Sequence, residues 1–191
     1  MRIPLILLAL VVVVLQGCAA AVVTGAATGA TVAYDRRTTG IMLEDQSIEL
    51  KIASRIRNDS ALSGQAHVNA TSFNLTVLLT GQAPSPALRA RAEAIAQEVE
   101  HVKRVVNEIT VAAPSAMTAR ASDTLITSKV KTRLLRIKLP SFTPARVKVV
   151  TESGSVYLMG LVTRAEAQAA IEEARRVGGV QRVVNVFEYV D

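Results

Sequence analysis

The chain has 191 residues, half of them apolar and 3% aromatic, with a formal charge of +6, one cysteine and no tryptophan. A single cysteine excludes an intrachain disulfide, and this length leaves room for two small domains, each with its own core. His67 and His101 have no metal-ligand spacing around them, and there is no phosphate loop or nucleophile motif; no cofactor or metal is implied and no enzymatic role is expected.

At the N-terminus, Arg2 precedes an apolar run over residues 3–15 that only Pro4 interrupts. About 13 residues is short for a bilayer span, which takes about 20, so residues 1–17 read as a secretory signal peptide. Leu15, Gln16, Gly17 and Cys18 resemble the lipobox of bacterial lipoproteins, in which a Leu stands three places before a Cys whose sulfur is diacylated. Gln16 departs from the small or branched residue usual at its place, and an ordinary signal peptide cleaved elsewhere is the alternative. The resemblance implies that Cys18 is lipidated and becomes the first mature residue, and Ala19 after it, in place of Asp, points to the outer membrane. Buried acyl groups contribute about 0.8 kcal/mol per methylene, and stable anchoring takes more than one chain. An exported chain meets lipid head groups and envelope proteins, so its positive charge does not imply nucleic acid. Residues 18–43 have no helical or strand period and read as a flexible tether.

Beyond the tether the chain repeats itself. Ile48, Lys51, Ile52 and Ile56 recur 78 places on as Ile126, Lys129, Val130 and Leu134. Val68 recurs as Val147, and residues 77–81 recur as 156–160, at a spacing of 79. Arg104, Val105, Val106 and Asn107 recur unchanged as Arg182, Val183, Val184 and Asn185. Conserved order and spacing predict two copies of one domain, over residues 44–111 and 122–191, joined by a linker over 112–121.

Each copy opens with an amphipathic helix. The first carries Ile48, Ile52 and Ile56 on one stripe and is expected to start near Asp45 or Ser47 and finish near Asn58. The second carries Ile126, Val130, Leu134 and Ile137, with Ser122 or Asp123 as its expected N-cap and Pro140 as its stop. A hairpin follows in each copy, over residues 67–73 and 76–80 and over 147–151 and 155–159, with Ser153 and Gly154 as the second turn. Gly81 and Gly160 stand where strand turns toward helix, a structural role. Second helices are expected over 86–99 and 164–177, and closing strands over 102–111 and 180–190. The fold class is α+β: two tandem αββαβ units, each a three-stranded mixed sheet with two helices packed on one face.

Charge separates the copies. Residues 44–113 hold seven Lys or Arg against eight Asp or Glu, and residues 120–191 hold twelve against seven. The excess gathers on the first helix of the second copy, at Lys129, Lys131, Arg133 and Arg136. At about 100° per residue, Leu125, Leu135 and Leu139 fall opposite the buried stripe, among Lys129 and Arg136. Such an edge can place leucines at an acyl boundary while cations meet phosphate. The first copy has Ser47 and Asn58 where the second has Leu125 and Arg136. Packing of the leucines against the first domain, with a solvated cationic face, is the other reading.

The αββαβ order, the Gly81 and Gly160 positions and the closing Arg-Val-Val-Asn strand resemble the BON domain, a module of bacterial envelope proteins. A lipobox followed by two such domains is similar to outer-membrane lipoproteins of that family. The resemblance implies binding of anionic phospholipids, phosphatidylglycerol or cardiolipin, at the inner leaflet of the outer membrane, with enrichment at the division site and support of envelope integrity. It covers nearly the whole chain, although relatives can carry Trp where this chain has Leu125. A protein adaptor acting on the outer-membrane protein assembly complex, with the first domain as docking surface, is the competing expectation.

Overall fold

In the computed structural model, residues 35–140 and 142–191 are described; Cys18 and the expected tether up to residue 34 lie outside them. The first helix, α1 (Thr39–Asn58), starts well before Asp45, with the Thr38 side chain accepting the Ile41 N–H as its cap. Residues 39–43, expected in the tether, are therefore helical. The second copy behaves alike: its first helix, α3, spans Met117–Leu134, so residues 117–121 are helix rather than linker. It stops at Leu134 and not at Pro140, and Ile137 packs against the core from beyond the helix end.

Asp45 and Asp123, which read as helix starts, lie inside the helices and are buried. Each instead ties down the neighbouring hairpin turn. Asp45 accepts the N–H groups of Asn74 and Leu75 at 2.8 Å each, and Asp123 those of Ser153 and Gly154 at 2.8 and 2.9 Å. The turn residues Asn74, Leu75, Ser153 and Gly154 all have positive φ, the geometry of a two-residue hairpin matched to strand twist. The carboxylates satisfy turn N–H groups that the ladder leaves unpaired.

The first copy continues with β1 (His67–Phe73), β2 (Thr76–Ala83), α2 (Pro86–Gln97), β3 (Arg104–Asn107) and β4 (Thr110–Val111). The second continues, after a short turn at Pro144–Arg146, with β5 (Val147–Glu152), β6 (Ser155–Val162), α4 (Arg164–Arg175) and β7 (Arg182–Tyr189). In each sheet the middle strand, β2 or β6, pairs antiparallel with the hairpin partner and parallel with the closing strand. The first copy's closing strand is broken after Asn107, and β4 resumes against β2. The repeated asparagine works alike in both: Asn107 accepts the Ile109 N–H at 3.1 Å and Asn185 that of Phe187 at 2.9 Å.

Both helices of each copy pack on one sheet face. In the first copy the isoleucine stripe of α1 and Ala92, Ile95 and Ala96 of α2 meet Val77, Leu79 and Ala83 of β2. In the second, Ile126, Val130 and Leu134 meet Val156, Leu158 and Val162. The opposite sheet faces are not left to water. Phe73 and Leu78 of the first copy join Tyr157, Met159 and Val186 of the second in a third apolar cluster, so the copies stack sheet on sheet with helices outermost. Polar contacts rim this seam: Gln82 donates to Glu152 at 2.7 Å, Asn74 and Thr76 each to Glu188 at 2.8 Å, and Arg182 to Glu108 at 2.9 Å. The segment before α1 adds a clasp. Arg36 donates to the Leu161 carbonyl at 2.8 Å and to Glu166, 1% exposed, at 2.7 and 3.2 Å, while Arg37 pairs with Asp45 and lies over the Phe73 ring.

Gly81 and Gly160 are structural for different reasons. A Cβ on Gly81 would overlap the His67 carbonyl, and φ there is +114°. A Cβ on Gly160 would overlap the Arg146 carbonyl with no unusual φ, so close strand approach alone requires glycine.

Candidate functional site

Since the first domain covers the far face of the second sheet, α3 keeps its outer surface in solvent. Leu125 is 62% exposed and Leu135 71%, so neither packs beneath the first domain. Lys129, Lys131 and Arg136 form no ion pair among the described residues. Burial of Ile126, Val130 and Leu134 against the sheet fixes the helix rotation that turns them outward.

A groove of about 400 Å³ runs between α3 and the end of α4. From α3 it gathers Leu125, Ser128, Lys129, Thr132 and Arg133, from the turn after it Arg136, and from the other side Arg176, Val177 and Gly178. The predicted residues Leu125, Lys129, Arg133 and Arg136 thus come together. Lys131 and Leu135 do not: they fall on the other flank of the helix and its end, both exposed. Arg133 donates to Glu173 at 3.3 Å, and Arg176 to the second oxygen of the same carboxylate at 3.2 Å. Lys129, Arg133, Arg136 and Arg176 against Glu173 leave three positive charges around the groove.

The first copy has a groove at the equivalent place, about 330 Å³, lined by Ser54, Arg55, Asn58, Asp59, Arg91 and Ile95. Its cations are spoken for. Arg91 pairs with Asp59 at 2.9 Å, holding that carboxyl below the usual carboxylate range, and Arg55 faces Glu98 at 3.9 Å. At the repeat spacing, Glu98 corresponds to Arg176 and Ile95 to Glu173. Arg176 was missed in the sequence because the ridge was sought on one helix; the Glu98 to Arg176 change between the copies was the available signal.

The histidines stand away from this groove, His101 facing Glu44 at 2.9 Å and His67 facing Asn69. Among the described residues no group of three or more His, Cys, Asp or Glu could hold a metal ion, and no helix is long and apolar enough to cross a membrane.

Residues 44–113 and 122–191 each match the BON domain. The chain is 39% identical to the outer membrane lipoprotein DolP of Haemophilus influenzae, over 93% of this chain and 91% of that one. It is 35% identical to the 21 kDa hemolysin of Actinobacillus pleuropneumoniae, over 82% and 79%, and 30% identical to the osmotically-inducible protein Y of Escherichia coli, over 85% and 81%. With both repeats matched, the chain belongs to the BON-domain family, as a tandem pair similar over nearly its whole length to DolP.

Proposed function

We propose that this chain is an outer-membrane lipoprotein, anchored through Cys18 and facing the periplasm, whose second BON domain binds anionic phospholipids and supports envelope integrity at the division site. The observation that carries the reading is an exposed Leu125 beside Lys129 and Arg136, two cations that form no ion pair among the described residues. A leucine at the acyl boundary and cations at the phosphates give the face both parts of an interfacial surface. Similarity to an outer membrane lipoprotein supports the location.

Each cation near an anionic membrane contributes about 1 kcal/mol. Three groove charges together with Lys131 then give about 4 kcal/mol, a dissociation constant near millimolar. Such contact is transient by itself, and an acyl anchor makes it intramolecular at high effective concentration. The test is vesicle binding: Leu125→Glu, or charge reversal at both Lys129 and Arg136, abolishes binding to phosphatidylglycerol vesicles with the fold retained. Unchanged binding by both variants removes the reading.

A second reading, docking of the outer-membrane protein assembly complex by the first domain, draws on α1. Leu43 and Leu50, two turns apart, are 63% and 72% exposed, on the outer face away from α3. Crosslinking from Leu50 that captures one defined protein of that machinery, with Leu125→Glu silent in cells, favours it.

A further inference from the structure

We propose that the groove between α3 and α4 seats the phosphodiester of an anionic phospholipid, and that Glu173 is a positioning residue presenting Arg133 and Arg176 to it as a pair; this rests on the lipid-binding reading of the same face. Each oxygen of the Glu173 carboxylate takes one arginine, at 3.3 and 3.2 Å. Glu173 itself is only 17% exposed, whereas Arg176 is 62% exposed. The carboxylate thus gathers one guanidinium from α3 and one from the residue that ends α4 at the groove. A guanidinium has five N–H donors, so one bond to Glu173 leaves donors for phosphate oxygens, the geometry in which arginine recognises phosphate. Ordering two long side chains beforehand lowers the conformational loss on binding. The first copy lacks the device, having Ile95 and Glu98 where the second has Glu173 and Arg176.

Charge counting and positioning predict opposite signs for one substitution. Glu173→Gln raises the net charge by one, so a surface acting only through its field binds anionic vesicles about fivefold more tightly. If Glu173 positions the arginines, the same variant binds about threefold or more weakly. The double variant Glu173→Gln with Arg176→Gln restores the wild-type net charge. Field alone returns it to wild-type affinity; positioning leaves it as weak as Arg176→Gln, since the two residues act as a unit.

The measurement is a titration of residues 36–191, the compact unit that carries all three apolar clusters, with phosphatidylglycerol and phosphatidylcholine vesicles at one salt concentration. Circular dichroism confirms the fold of each variant. Weaker binding by Glu173→Gln together with no recovery in the double variant supports the seat. Equal or tighter binding by Glu173→Gln, or recovery in the double variant, overturns it. Failure of the underlying reading looks different, since the wild-type unit then shows no preference for phosphatidylglycerol or Leu125→Glu has no effect.

Discussion

Expressing residues 116–191 alone strips the first sheet from β6 and β7. In the whole chain Tyr157, Met159 and Val186 are 2%, 1% and 6% exposed, and they bury against Phe73 and Leu78. At about 1.5–3 kcal/mol for each fully buried apolar side chain, their exposure removes about 4.5 to 9 kcal/mol of burial, on the scale of the 5–15 kcal/mol that stabilises a whole small domain. Glu152 and Glu188 lose Gln82, Asn74 and Thr76 but regain water, so the polar rim changes the balance little. The separated domain is expected to bind a hydrophobic dye, to self-associate in sedimentation and to unfold at a lower denaturant midpoint than residues 36–191. A monomeric, dye-silent domain with an unshifted midpoint would refute the reasoning and make the seam a loose contact.

Asp123→Ala removes a carboxylate that satisfies two turn N–H groups and is expected to destabilise residues 36–191 by about 3 kcal/mol; a denaturant midpoint within error of wild type counts against the turn-tying role. Gly160→Val forces a side chain onto the Arg146 carbonyl and is expected to lower stability by about 3 kcal/mol or more, while a stable Gly160→Val chain deficient in vesicle binding would mean that the glycine serves the site. Burial pushes the Glu166 carboxyl up, but Arg36, the Thr163 N–H and Arg146 outweigh it and hold the group below the usual carboxylate range. With the folded value lower than the unfolded one, the stabilisation is present above the ordinary carboxylate range and disappears as pH falls through the depressed value. Thermal melts at descending pH should therefore fall more steeply for wild type than for Arg36→Ala, and parallel slopes would dismiss the clasp.

The repeat, the αββαβ order and the isoleucine stripes were legible because periodic burial is written into α1, α3 and the hairpins. The helix starts were not. Asp45 and Asp123 have the chemistry of N-caps, and nothing local says that their carboxylates serve a turn about 30 residues away. The sheet-on-sheet seam had a weak signal in the runs Val77-Leu78-Leu79 and Tyr157-Leu158-Met159, apolar at consecutive positions as strands buried on both faces are. Two open-faced sandwiches satisfied the same pattern only by leaving Leu78 and Met159 in water. At the site, helical spacing placed Leu125, Lys129 and Arg133 together, and the turn after Leu134 keeps Arg136 beside them. Lys131 and Leu135 shared their composition but not their flank, and Arg176 comes from an element whose approach only the tertiary fold defines.

The neighbouring arginines ahead of α1 grip different domains, Arg36 the second and Arg37 the first. Tension along the leading segment therefore reaches both halves in parallel.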